Sequence, residues 1–304
     1  MKNLVRHSPS EPPAARLHVF ADSEQFGRRL ARTLGLGCAR VGVHMFPDGE
    51  SLVRIRPPAG QHAILVRSLH DPNPKLLETL LAADALRRAD AQQVTLIAPY
   101  LPYMRQDRIF RPGEPISQHV IGSCLGQAFD RVLTIEAHLH RITRLSDVIP
   151  GRAQSLSAAP VLAEWIQRTV PHSLLVGPDA ESEPWVRAIA QKAQTQWVIG
   201  TKERLGDRKV RITFPGLPVC EHAVIVDDIA SSGETLAVAA QELRRQGVPS
   251  VDAVVVHAIF APQALSRIRA AGIDRIISGD SIPHPTNGLS VIPVFATALK
   301  KIVA

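Results

Sequence analysis

The chain has 304 residues, 45% apolar and 21% charged, which suits two α/β domains or one large one and excludes disordered, collagen-like and disulfide-scaffold classes. An excess of 35 Lys and Arg over 28 Asp and Glu favours anionic partners, but the basic residues are scattered and aromatics reach only 4%, which argues against nucleic acid. No apolar run approaches the roughly 18 residues of a membrane span, so no membrane partner is expected.

Residues 1–16, MKNLVRHSPSEPPAAR, carry charge and three prolines but no apolar signal-peptide region, and read as a flexible leader on a cytoplasmic protein. Short aliphatic runs then recur at Ala63–Arg67, Val94–Ala98, Val132–Glu136, Ser173–Gly177, Ala223–Asp227, Val251–His257 and Arg275–Ser278. Amphipathic stretches separate most of them, which predicts βαβ units and largely parallel sheets flanked by helices. The clearest helix runs from Pro74 to Ala89, with Leu76, Leu77, Leu80, Leu81 and Leu86 as its apolar stripe. A second runs from Glu234 to Gln246 and stops at Gly247. The aperiodic DVIPGRAQSLSAAP marks a boundary between domains 17–150 and 151–304, the last residues being expected to pack back on the first domain. Cys38, Cys124 and Cys220 lack metal or disulfide spacing and are expected to fill core space.

Strand after strand ends in a polar cluster, and in open parallel sheets ligands bind outside those carboxyl ends. Val226-Asp227-Asp228-Ile229-Ala230-Ser231-Ser232-Gly233-Glu234-Thr235 reads as a strand ending in two acids, then a small-residue turn opening a helix. Backbone N–H groups there would cradle an anion, and the acids would take ribose hydroxyls or a metal. A capping box, Ser231 to Glu234, is the structural alternative. The charged connection Thr201–Lys209 lies between two apolar runs and could be an ordinary hairpin tip.

VDDIASSGET resembles the ribose-5-phosphate loop of type I phosphoribosyltransferases and of ribose-phosphate diphosphokinases, the phosphoribosyl pyrophosphate (PRPP) synthetases. Phe46-Pro47-Asp48-Gly49-Glu50 resembles the diphosphokinases' Phe-x-Asp-Gly-Glu element, and Pro99-Tyr100 through Arg105-Gln106-Asp107-Arg108 to Pro115-Ile116-Ser117 resembles another of their stretches. The likeness runs from about Val43 to Ile282. It implies two phosphoribosyltransferase-like lobes, ATP and ribose 5-phosphate as substrates, Mg²⁺ as cofactor, and release of PRPP and AMP.

By the same resemblance Phe46, Asp48, Glu50, Arg105, Gln106 and Asp107 bind ATP, the first three reaching a neighbouring subunit's site in a homo-oligomer. Asp227, Asp228, Ser231, Ser232, Gly233, Glu234 and Thr235 bind ribose 5-phosphate, and His138 and Asp179 contact the metal. Lys202 and Arg204 match the Lys-x-Arg of the catalytic loop, whose cations would stabilise charge on the transferring group. Two departures stand out. Glu181-Ser182 replaces a common Gly-Gly, and Ser231 replaces a common acid; both resemble shorter, archaeal-like branches. They motivate an alternative, a noncatalytic PRPP-synthetase-like assembly partner. The shared loop alone would also allow a PRPP-consuming phosphoribosyltransferase.

Overall fold

A computed structural model describes residues 13–139, 141–204 and 210–303, the side chains of Arg204, Val210 and Val303 excepted. The first lobe contains β1 (Ala15–Val19), α1 (Glu24–Leu34), β2 (Gly37–Arg40) and a hairpin of β3 (Gly42–Met45) and β4 (Ser51–Arg54). It continues with β5 (His62–Val66), α2 (Pro72–Arg88), β6 (Gln93–Ile97), α3 (Ser117–Ala128), β7 (Arg131–Ile135) and β8 (Arg152–Leu156). The second lobe starts with α4 (Ala159–Thr169), β9 (Leu174–Gly177), α5 (Glu183–Ala193) and β10 (Trp197–Ile199). A ribbon of β11 (Thr201–Arg204) and β12 (Val210–Thr213) follows, then β13 (His222–Ala230), α6 (Glu234–Arg245) and β14 (Ser250–Ala258). The chain ends with α7 (Ala264–Ala270), β15 (Arg275–Gly279), β16 (Asn287–Leu289) and α8 (Ile292–Val303).

Among the described residues, two six-stranded sheets take the orders β2-β1-β5-β6-β7-β8 and β10-β9-β13-β14-β15-β16. Every neighbour in them is parallel. Parallel strands need crossovers, and helices on both faces bury them, so a central strand such as HAILV in β5 is buried at all its positions. This is the expected α/β architecture of two lobes.

Some expectations change. β1 takes up Ala15 and Arg16 from the expected leader, and residues 1–12 of that leader lie outside the described residues. β8 pairs with β7 in the first sheet, so that sheet closes at Leu156, beyond the boundary expected at 150/151. β13 runs past its acids to Ala230, because Ile229 and Ala230 keep pairing with His257 and Ala258. On α2, Leu76 and Leu86 are buried but Leu77 is 57% exposed and Leu81 40%, the helix being apolar over a wider arc than its core face. Cys124 is exposed rather than a core filler. Gly247, at φ +89°, stops α6 as expected, its N–H bonding the Arg244 carbonyl at 3.0 Å.

One apolar layer joins the lobes. Leu17, Val19, Ile64, Ile97 and Leu133 of the first sheet share a buried cluster with Leu175, Val224, Val226, Val254 and Val256 of the second. α8 returns from the second lobe to seal it, Phe295 meeting Phe26 of α1 edge to face at 5.8 Å between centroids. Polar bolts cross the same seam: Arg29 pairs with Asp280 at 2.9 Å, and the Ser68 hydroxyl donates to the Ser281 carbonyl at 2.6 Å.

His257, in β14, is a third bolt. It is buried, and its Nε2 lies 3.1 Å from the Ile135 carbonyl of the first lobe. Burial drives its pKa from 6.5 down to about 4. The unfolded chain therefore takes up this proton first, and the stability involved is whole above pH 6.5 and lost as pH falls toward 4. We expect His257→Asn to lose less stability than the parent between pH 7 and pH 4.5, the difference in urea unfolding free energy being about 2–3 kcal/mol. Parallel losses in the two proteins would contradict this.

Candidate active site

Between the lobes, at the carboxyl ends of both sheets, lies a cleft of about 480 Å³. The loop after β6 brings Arg105 to it, and the turn after β7 brings Glu136 and His138. The second lobe contributes Asp179 and Glu181 from the turn after β9, Lys202 from β11, Asp227 and Asp228 from β13, and Thr235 from α6.

Strand alternation decides how the two β13 acids divide. Val224 and Val226 face the layer between the lobes, whereas Ala223 and Ile225 face the helices on the far side. Asp228 continues the first series and meets His138 of the opposite lobe, Nδ1 to Oδ2, at 2.9 Å. Asp227 continues the second, accepting the Asp228 backbone N–H at 3.0 Å. Burial pushes the Asp227 carboxyl well above the ordinary carboxylate range, and the charges of Asp228 and Asp179 push it further. Burial also works to raise Asp228, but the hydrogen bond and charge of His138 outweigh it and hold that carboxyl below its usual value.

Asp179 caps the short turn Ala180–Ser182, accepting the Ser182 N–H, and pairs through Oδ2 with Lys202 Nζ at 2.9 Å. Asp228, expected on the sugar, and Asp179, expected on the metal, are thus matched with an imidazole and a cation. Among the described residues, no group of three or more His, Cys, Asp and Glu converges as a ready metal cage.

The other candidates sit apart from the cleft wall. Phe46, Asp48 and Glu50 lie in the β3–β4 turn, where Asp48 accepts the Glu50 N–H at 3.1 Å and Phe46 is 39% exposed. Gln106 accepts the Ser117 hydroxyl, and Asp107 pairs with Arg141 at 3.2 Å. The Arg204 side chain and residues 205–209 of the charged connection lie outside the described residues; Lys202 stands on a strand of an antiparallel ribbon. Ser231, Ser232 and Gly233 form the turn into α6, and Glu234 opens that helix 3.6 Å from Arg267. The capping box does not form, since Gly233 is the N-cap and no side chain caps it.

Two cleft residues carried no motif. Glu136 was legible only as the end of the run Val132–Glu136, and Trp185, whose indole N–H donates to Glu136 at 2.8 Å, carried no signal. Gly233 is favoured on two counts: its φ is +75°, and a Cβ would stand 2.7 Å from Ile268 Cδ1. Gly233→Ala is expected to destabilise the protein by about 1–3 kcal/mol, read as a lower urea midpoint at unchanged slope.

The family model for the N-terminal domain of ribose phosphate pyrophosphokinase matches residues 16–128, and that for the phosphoribosyl transferase domain matches 154–283. The ribose-phosphate pyrophosphokinase of Methanopyrus kandleri is 33% identical over 93% of this chain and 99% of its own length. That of Pyrococcus furiosus is 31% identical over 83% and 90%. The crystal structure of phosphoribosylpyrophosphate synthetase from Mycobacterium smegmatis shares the fold, with a TM-score of 0.80 at 22% identity over 95% of this chain and 98% of that one. Near full-length identity at that level, on a two-lobed frame with acids and cations gathered between the lobes, means that the chain belongs to the ribose-phosphate pyrophosphokinase family.

Proposed function

We propose that the protein is a ribose-phosphate diphosphokinase, transferring the β,γ-diphosphoryl group of ATP to the 1-hydroxyl of ribose 5-phosphate. The observation that carries this reading is the convergence of Arg105, His138, Asp179, Lys202, Asp227 and Asp228 on one interlobe cleft. The anomeric oxygen attacks the β-phosphorus and gives up its proton to solvent, the bond from that phosphorus to the α,β-bridging oxygen breaks, and AMP departs. Positioning and charge stabilisation dominate such a transfer.

Asp227 and Asp228 accept hydrogen bonds from ribose hydroxyls, while the turn Ser231–Gly233 and the first N–H groups of α6, at Glu234 and Thr235, receive the 5-phosphate. Arg105, Lys202 and Arg204 meet the polyphosphate, Lys202 exchanging its present partner Asp179 for phosphate oxygens. ATP is further held by Gln106 and Asp107. In this reading Phe46, Asp48 and Glu50 complete the ATP site of a neighbouring copy. Their exposed hairpin, with Met45 62% exposed and Leu77 and Leu81 on α2 nearby, supports a homo-oligomer.

Asp179 offers one hard carboxylate oxygen of the kind Mg²⁺ takes and His138 one imidazole nitrogen, so most positions would fall to water and phosphate oxygens. The half-buried Asp227, raised by burial and by Asp228 and Asp179, marks a place where a cation would relieve repulsion between acids. When bound, Mg²⁺ would neutralise charge on the phosphate oxygens. No described helix is long and apolar enough to cross a membrane, and an ATP-dependent reaction accords with the cytoplasm.

The test is AMP formation from ATP in Mg²⁺, with and without ribose 5-phosphate. We expect sugar-dependent AMP that falls by about a hundredfold or more in Lys202→Ala, as for loss of a charge-stabilising donor. Folded protein that forms no AMP beyond background would reject the reading.

A further inference from the structure

Glu136 has no part in the steps above, yet it is bound on every side. It follows β7 directly, donates its N–H to the Leu156 carbonyl at 2.9 Å, and turns out of the sheet at φ +39°. A non-glycine residue held in such a sparsely populated conformation costs about 1–3 kcal/mol and persists only where its surroundings impose it. Three donors converge on one of its oxygens. Oε1 accepts the Ala158 N–H at 2.6 Å, the Ser157 hydroxyl at 2.9 Å and the Trp185 indole N–H at 2.8 Å. Its own carbonyl and that of Ile135 face His257 Nε2 at 3.3 and 3.1 Å.

Trp185 and His257 belong to the opposite lobe, and Ser157 and Ala158 form the link from β8 to it. Ser157 and Ala158 lead into α4, and Trp185 stands in the first turn of α5, directly after the turn that begins at Asp179. On the other side, two residues beyond Glu136, His138 meets Asp228 at 2.9 Å. One carboxylate therefore ties the strand end bearing His138 to the helix that follows Asp179, from one wall of the cleft to the other.

We propose that Glu136 is a positioning residue for the diphosphoryl transfer: as the acceptor of the Trp185 indole N–H and the α4 donors, it sets the placement of His138 relative to Asp179. The role rests on the diphosphokinase reading given above. It requires an oxygen acceptor at Oε1 and not a negative charge. A brace serving stability alone would lower the melting temperature and leave the kinetics of the surviving folded enzyme unchanged.

The experiment compares the full chain with Glu136→Ala, Glu136→Gln and Trp185→Phe in AMP formation, alongside thermal melts. Of the three tryptophans, Trp165 and Trp197 are replaced by Phe in a parallel set, so that emission reports Trp185 alone. Assayed well below its melting temperature, Glu136→Ala should lose about tenfold to a hundredfold in kcat, the scale of a misplaced reacting group. KM for both substrates should stay within about twofold, because ground-state binding is untouched. Glu136→Gln, which keeps an acceptor oxygen, should restore most of that loss and the parent's Trp185 emission. Trp185→Phe should lower kcat less than Glu136→Ala, and it decides the matter should the alanine variant not fold. A parental kcat in Trp185→Phe or in folded Glu136→Ala would overturn the role, as would a glutamine variant as impaired as the alanine one. An unsubstituted chain that forms no AMP would instead overturn the diphosphokinase reading, and the role with it.

Discussion

The packing of two parallel sheets across one apolar layer governs the rest of the molecule. Because side chains alternate along a strand, the residues that fill this layer also determine which strand-end groups emerge beside it. Val224 and Val226 are committed to the layer, so Asp228 must point toward the first lobe and Asp227 away from it. A slip of one residue in β13 would exchange the two acids and turn the wrong one toward His138. Phe295 and Leu299 of α8, with His257 and Arg29 across the seam, hold the sheets so that His138 finds Asp228.

Charge then differentiates the acids that this packing collects. Asp179, Asp227, Asp228, Glu136 and Glu181 line the cleft with only Arg105 and Lys202 as fixed cations among the described residues. Such a wall would repel a bare polyphosphate, whereas it suits sugar hydroxyls and a hydrated divalent ion that arrives with the phosphates. The present pairings keep the crowd tolerable. His138 keeps Asp228 ionised, Lys202 matches Asp179, and Asp227 is left as the acid most disposed to hold a proton until a cation comes near.

What could be read beforehand follows from burial. The central strands β5, β6, β7, β9, β13 and β14 are covered on both faces, so they stand out as aliphatic runs. The edge strands β2, β8, β10 and β16 are only partly buried, and sequences such as GCAR and RAQSL carry no such run; missing β8 is what placed the expected boundary too early. At the site, motif order pointed to Arg105, His138, Asp179, Lys202, Asp227, Asp228 and Thr235, and these do share one cleft. Glu136 and Trp185 escaped because their importance lies in a contact between residues 49 positions apart, which no local pattern encodes.

The two lobes share a topology, and the difference in what they do with it explains why chemistry gathers on one side. In each sheet the strand order reverses once, between β1 and β5 in the first and between β9 and β13 in the second, and such a reversal opens a crevice at the carboxyl ends. In the first lobe the groups at that point are already matched. Arg67, just after β5, binds Asp22 at 2.9 Å and Glu78 at 2.6 Å while its guanidinium lies 3.9 Å over the Phe20 ring. A buried pair this complete is costly to open, because either partner alone would be a stranded charge. The equivalent point of the second lobe carries Asp179 and Asp227, both acids, whose charges work against one another. They find Lys202 from the ribbon, and through Asp228 they reach the first lobe's His138. The first crevice is thereby braced beside a cavity of about 550 Å³ lined by Asp22, Ser23 and Ser68, whereas in the second the acids and Lys202 line the interlobe cleft.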